Sequence, residues 1–100
     1  MRKLSYPLNK KKISSFCKKH HITFLALFGS ILTPQFKPSS DIDILIKFEK
    51  KHIPTLFDLV DMETELTSIM GRQVDLKTPN DLSPYFRNDV LAKAEIIYDK

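Results

Sequence analysis

Two short polar motifs, each joined to an apolar run and separated by ten residues, constrain this chain more than any other feature. Gly29-Ser30 ends the apolar run from Ile22 to Phe28. Asp41-Ile42-Asp43 leads directly into Ile44-Leu45-Ile46. Short apolar runs bounded by turn residues are typical of strands buried on both faces of a sheet. The pattern therefore predicts two strands, of which the first ends in a tight turn and the second begins with two carboxylates.

The turn after the first strand is a candidate phosphate-binding element. Gly29 is one of only two glycines in the chain, and glycine adopts backbone angles that other residues avoid. Ser30 lies where a helical turn can begin, and the free N–H groups of a helix start attract anions. Pro34 and Pro38 limit that helix to about one turn. Gly-Ser alone also fits an ordinary turn at a strand end, and it is the following aspartates that favour phosphate binding.

The predicted second strand, residues 41–48, carries a candidate metal site. Alternation places Asp41 and Asp43 on one face, with their Cβ atoms roughly 6–7 Å apart. That separation suits a pair of divalent cations about 3.5–4 Å apart, and carboxylate oxygens suit Mg²⁺. The alternative is a half-exposed strand with its polar side chains outward. Against it, the apolar run at 44–46 indicates a strand that is covered on both faces.

Capping residues and apolar periodicity predict three helices. The first follows Asn9 as its N-cap and buries Ile13, Phe16 and Cys17. The second has Pro54 near its first turn and ends at Gly71, and its periodic apolar positions are Leu56, Leu59, Val60, Met62, Leu66, Ile69 and Met70. The third runs from Ser83-Pro84 to about residue 94, and its predicted buried positions are Phe86, Val90 and Leu91.

Two further short strands, residues 72–77 and 95–98, complete the predicted sheet. In the first of them Val74 and Leu76 face one way, so alternation turns Asp75 to the other side. A third carboxylate could join the first two there. The interspersed helices and strands indicate a mixed α/β domain with a small sheet.

Length and composition bound the class of protein. One hundred residues with 42% apolar side chains indicate a single globular domain over residues 1–100. The single cysteine excludes an internal disulfide and fits a reducing compartment. The basic N-terminus lacks the apolar segment of a signal peptide, and no apolar stretch is long enough to span a membrane. We therefore expect a cytoplasmic protein with no membrane partner.

Charge is distributed unevenly along the chain. Residues 1–40 contain eight Lys or Arg and no acid, whereas residues 41–100 contain eight Lys or Arg and all twelve acids. The first part could attract an anionic partner, such as a nucleotide or a nucleic acid. The alternative is that its lysines form the solvated face of the first helix, as charge runs usually do.

The combined motif Gly29-Ser30, ten residues, Asp41-Ile42-Asp43 and a later Asp75 resembles the minimal nucleotidyltransferases of the superfamily related to DNA polymerase beta. The resemblance covers nearly the whole chain. It implies an α/β (α+β) palm, in which a small mixed β-sheet is flanked by helices. It also implies transfer of a nucleoside monophosphate, AMP from ATP, and a setting as antitoxin beside a HEPN-type ribonuclease toxin. Some members of this group attach AMP to a tyrosine of that toxin.

The resemblance also implies roles for individual residues. Gly29 and Ser30 would hold the β- and γ-phosphates of ATP. Asp41 and Asp43 would hold two Mg²⁺ ions, and Asp75 would bind one metal and orient or deprotonate the attacking hydroxyl. A clamp of two ions is the chemistry that in-line displacement at phosphorus requires. One departure is Ile31-Leu32-Thr33-Pro34, which stands where many relatives carry Arg-Gly and so removes a phosphate-binding cation.

Three functions remain open at this point. The first is an active antitoxin that adenylylates its toxin. The second is a non-catalytic antitoxin of the same fold that neutralises the toxin by binding. The third is a transferase acting on RNA or a small molecule, guided by the basic first helix. In each case we expect a partner or a second copy, as a hetero- or homo-oligomer, to complete the site.

Overall fold

A computed structural model describes residues 7–100, so Arg2 and Lys3 of the basic segment lie outside the described residues. This range contains three helices and four strands. In chain order they are α1 (Lys10–Lys19), β1 (Ile22–Phe28), β2 (Ile42–Phe48), α2 (Leu56–Met70), β3 (Val74–Lys77), α3 (Pro84–Lys93) and β4 (Glu95–Asp99), with 3₁₀ turns at Gly29–Leu32 and Pro79–Asp81. The predicted element order is confirmed, and strand bounds differ from the prediction by at most two residues.

The four strands form one mixed sheet in the order β3-β2-β1-β4. β1 pairs antiparallel with both β2 and β4, whereas β2 pairs parallel with β3. Parallel neighbours require a crossover connection, and α2 provides it here. β1 and β2 occupy the two central positions, which explains why their sequences are apolar almost throughout. The predicted mixed α/β architecture with a small sheet is therefore confirmed.

The core lies between the sheet and the two helices α1 and α2. Ile13, Phe16 and Cys17 of α1 are buried as predicted, and the lysines of that helix are exposed. α2 contributes Met62, Leu66 and Met70. Burial raises the pKa of the Cys17 thiol to about 12, so this cysteine packs as a small apolar side chain and stays un-ionised at neutral pH.

The start of α2 is set by a capping residue that was not predicted. Thr55 is the N-cap, and Pro54 lies directly before it, near the first turn as predicted. The Asp58 backbone N–H donates to Thr55 Oγ1 at 3.1 Å, and the Thr55 N–H donates to Asp58 Oδ2 at 2.8 Å. This reciprocal pair is a capping box. The bonds from the Thr55 backbone and side chain hold the pKa of Asp58 below its usual range.

The predicted apolar faces of α2 and α3 are wrong in part. Leu56 and Val60 of α2 are 75% and 55% exposed, because each lies well over 90° around the helix from Met62, which faces the core. No residue of α3 is fully buried, and Phe86 is 65% exposed. Val90 and Leu91 are half-buried. The sequence periodicity therefore overestimated the width of the apolar face of α2 and the depth at which α3 packs.

None of the helices within residues 7–100 combines the length and the apolar character that crossing a membrane demands.

Candidate functional site

The turn that follows β1 favours glycine for two reasons. Gly29 has φ +77°, in the left-handed region that disfavours residues with a Cβ atom. A Cβ atom added to Gly29 would also collide with the side-chain carboxylate of Asp43. Asp43 lies opposite Phe28 in the antiparallel pairing of β1 with β2. The backbone of the turn is therefore packed directly against the carboxylate that the sequence predicted as a metal ligand.

Ser30 is the second residue of the 3₁₀ turn Gly29–Leu32. The backbone N–H and the hydroxyl of Thr33 both donate to the Ser30 carbonyl oxygen, at 2.9 and 2.8 Å. These two bonds close the turn without engaging the serine side chain. A single helical turn followed by a loop was predicted for this segment, and it is confirmed.

The sheet brings two of the predicted aspartates together. Asp43 and Asp75 are directly aligned in the parallel register of β2 and β3. Asp41 lies one residue before β2 and is exposed, whereas Asp43 and Asp75 are half-buried. All three carboxylates are thus carried by the same end of two neighbouring strands, next to the Gly29 turn.

The residue types at this end of the sheet fit a hard divalent cation, because carboxylate oxygens are the ligands that Mg²⁺ prefers. As placed, however, no three His, Cys, Asp or Glu side chains among residues 7–100 are arranged to hold a metal ion. Binding a cation here therefore requires these side chains to adopt another arrangement. The strand register already aligns the backbones of Asp43 and Asp75.

Burial and the neighbouring carboxylates make the ionised form of Asp43 unfavourable. Burial raises the pKa of Asp43, and the negative charges of Asp75 and Asp41 raise it further, while Lys77 lowers it. The folded protein therefore holds the Asp43 proton more tightly than the unfolded chain does. As a result, the contribution of Asp43 to stability falls as the pH rises from about 4 through the pKa of the folded state. At neutral pH the ionised Asp43 carboxylate is therefore less favourable in the folded state than in the unfolded chain.

Lys77 partly offsets this repulsion, and sequence reasoning did not identify it. Its Nζ lies 3.2 Å from Asp75 Oδ1, and the two side chains are 37% and 42% exposed. The signal was available in the sequence, because Lys77 is two residues after Asp75 and alternation places both on one face of β3. Lys77 thus places a positive charge beside the carboxylates.

We predict that Lys77→Met raises the pKa of Asp43 and lowers the stability of the metal-free protein at pH 7, because the carboxylates lose their neighbouring cation. The loss should be within about 1 kcal/mol, as expected for a half-exposed pair. Mg²⁺ should then raise the melting temperature more in the variant than in the wild type. Calorimetry with and without Mg²⁺ measures this difference, and an equal shift in both proteins would contradict it. Lys51→Met, at an exposed position, is the control.

A cleft of about 470 Å³ opens between the Gly29 turn and α3. Its walls are formed by Phe28, Gly29, Leu32, Thr33, Asp89, Val90 and Lys93. Neither α3 nor this cleft entered the predicted site, because a contact between residues 29–33 and residues 89–93 has no local sequence signature.

The chain belongs to the polymerase beta nucleotidyltransferase family, whose model matches residues 11–100. A Methanocaldococcus jannaschii protein assigned as a protein adenylyltransferase is 35% identical over 85 residues, which is 85% of this chain and 89% of that protein. The protein adenylyltransferase MntA of Thermococcus cleftensis is 34% identical over 74 residues, which is 74% of this chain and 71% of that protein.

Solved structures share the fold. A toxin–antitoxin structure with AMP-PNP superposes with a TM-score of 0.73 at 21% identity, over 93% of this chain and 75% of that chain. A tri-AMPylated Shewanella oneidensis HEPN toxin in complex with its MNT antitoxin gives a TM-score of 0.65 at 19% identity, over 91% of this chain and 70% of that chain. The predicted family and the predicted polymerase beta-like palm are both confirmed.

Proposed function

We propose that this protein is a Mg²⁺-dependent protein adenylyltransferase that transfers AMP from ATP to a hydroxyl group of a partner protein. One observation supports this most directly: the Gly29 turn packs on Asp43, which is in register with Asp75. In a site for a metal-bound triphosphate, a glycine turn lets the phosphates approach the backbone and neighbouring carboxylates hold the metal ions. The adenylyltransferase names of the relatives support AMP as the transferred group.

In this proposal each site residue has one task. The Gly29 backbone and Ser30 bind the β- and γ-phosphates. Asp41 and Asp43 hold the metal ions, and Asp75 binds one of them and orients or deprotonates the attacking hydroxyl. Bound Mg²⁺ supplies the positive charge that stabilises the attacking and leaving oxygens. Asp75 is paired with Lys77, so a metal ion at Asp75 would compete with Lys77 for its carboxylate.

The proposed partner is a HEPN-type toxin, and the proposed acceptor is one of its tyrosines. Support comes from the similar folds seen in two toxin–antitoxin structures, of which one contains AMP-PNP and the other is an AMPylated HEPN toxin in complex with an MNT antitoxin. AMP attached to the toxin would add a bulky anion, which opposes RNA phosphate by charge and by volume. The protein would then act as an antitoxin. We place it in the cytoplasm, as a single domain over residues 1–100, where its one cysteine stays reduced.

Co-expression with the product of the neighbouring gene, the proposed toxin, tests this proposal. Intact-mass measurement of the partner should show a gain of one or more AMP units, and peptide mapping should place them on tyrosine. The Asp41→Asn/Asp43→Asn double variant should leave the partner unmodified. If the wild type also leaves the partner unmodified yet still neutralises it, the protein is a non-catalytic antitoxin. Tight, salt-sensitive RNA binding by the isolated protein would instead favour a transferase acting on RNA.

A further inference from the structure

The cleft between the Gly29 turn and α3 has the composition of a small-molecule site. Phe28, Leu32 and Val90 form its apolar part, and the side chains of Thr33, Asp89 and Lys93 add polar groups. Clefts of this size, mainly apolar with a few polar groups, are where small ligands bind in proteins. Because Gly29 lines both this cleft and the contact with Asp43, a ligand that reaches the carboxylates can extend into the cleft.

The Gly29 turn supplies no positively charged side chain to a triphosphate. Residues 29–36 include no lysine or arginine, and Lys77 is paired with Asp75 at 3.2 Å. In the proposed site Mg²⁺ would offset the charges of the carboxylates. A protein cation that contacts the triphosphate directly must therefore come from another element.

Lys93 is the lysine that lines the cleft on the α3 side. Its Nζ is 3.3 Å from Asp89 Oδ2, one turn earlier on the same helix, and the two side chains are 69% and 64% exposed. An exposed i,i+4 pair of this kind contributes only about 0.3–0.5 kcal/mol. A phosphate group, which forms stronger charge-assisted bonds, can therefore draw the Lys93 ammonium away from Asp89 at little cost.

We infer that Lys93 is a nucleotide-binding residue, which reaches across the cleft from α3 to the triphosphate held at the Gly29 turn. This inference rests on the proposed function, because it takes the ligand to be a nucleoside triphosphate. It deepens that function by assigning the phosphate-binding cation to the last turn of α3, and not to the segment that follows Ser30. Asp89 then holds Lys93 in place when no nucleotide is bound.

Binding of a non-hydrolysable ATP analogue with Mg²⁺, measured by calorimetry on the protein alone, tests this assignment. Lys93→Met should raise the Kd about 10-fold, the loss of one charge-assisted contact. Lys93→Arg should bind close to the wild-type level, and Asp89→Asn should bind at least as tightly as the wild type. Lys18→Met removes an exposed lysine of α1 and serves as the control, with no change expected. None of these changes should lower the melting temperature of the ligand-free protein appreciably, because all these side chains are exposed.

The outcomes separate this inference from the proposed function. If Lys93→Met binds the analogue as the wild type does, the assignment of Lys93 is wrong, even if AMP transfer is observed. If the wild type binds the analogue and Lys93→Met weakens binding, Lys93 is a nucleotide-binding residue, even if no partner is adenylylated. A wild-type protein that does not bind the analogue with Mg²⁺ would overturn both.

Discussion

Asp43→Asn should nearly abolish AMP transfer while leaving the fold at least as stable as the wild type at neutral pH. The carboxylate is the proposed ligand of both metal ions, so its loss removes charge stabilisation at the reacting phosphorus. We expect transfer to fall on the order of 10³-fold, as for the removal of one essential electrostatic group in an active site. The fold should gain stability because burial and the neighbouring aspartates disfavour the ionised form of Asp43, which asparagine does not have.

Two measurements check this pair of effects. Transfer of labelled AMP to the partner gives the rate, and thermal unfolding at several pH values gives the stability. The gain in melting temperature should be larger at pH 7 than at pH 4, because near pH 4 the wild-type carboxyl is already partly protonated. Asp61→Asn, at an exposed position of α2, should change neither quantity. A variant that keeps wild-type transfer would remove Asp43 from the proposed site.

Gly29→Ala should be strongly destabilising for its size. An alanine at φ +77° lies in the left-handed region, at a cost of about 1–2 kcal/mol. The added Cβ atom also meets the Asp43 carboxylate, and the overlap forces the turn or the side chain to move. We therefore expect a loss of about 3 kcal/mol in the free energy of unfolding, which combines the backbone strain with the cost of overpacking. Binding of ATP with Mg²⁺ should be lost as well.

Gly71→Ala is the matched control for this prediction. Gly71 ends α2 with φ +74° and is exposed, so alanine there carries a similar backbone penalty at a surface position. Denaturant unfolding of the two variants should show a clearly greater loss for Gly29→Ala, and only that variant should lose nucleotide binding. Equal losses with nucleotide binding retained would mean that Gly29 serves the turn alone.

Much of the fold was predictable because its signals are local. β1 spans Ile22–Phe28, as its apolar run predicted, and α1 begins after Asn9, whose side chain accepts from Lys12 N–H. Ser83 caps α3 in the same manner through Tyr85 N–H. Capping and hydrophobic runs depend on neighbours within a few residues, so the sequence contains them directly.

The predictions of buried helix residues were wrong where burial depends on which other element packs against the helix. Leu56 and Val60 keep a helical spacing with the apolar residues of α2, yet they are exposed. α2 buries only the stripe that meets the sheet and α1, and periodicity alone does not reveal how wide that stripe is. The same reasoning applies to Phe86 of α3, which lies on a helix that buries no residue fully.

The residues of the candidate site were predicted from sequence, but their arrangement in space was not. Motif spacing named Gly29, Ser30, Asp41, Asp43 and Asp75. Only the packing of β1 against β2 places Gly29 on the Asp43 carboxylate, and only the parallel register aligns Asp43 with Asp75.

The positions of the two lysines near the site depend on tertiary structure to different extents. Lys77 could be placed beside Asp75 by strand alternation, whereas Lys93 reaches the Gly29 cleft only because α3 folds back beside the end of β1. A strand, a cap or a turn is determined by a few neighbouring residues, and the sequence determined those here. Contacts between residues tens of positions apart depend on how the whole chain packs, and the tertiary structure alone decided them.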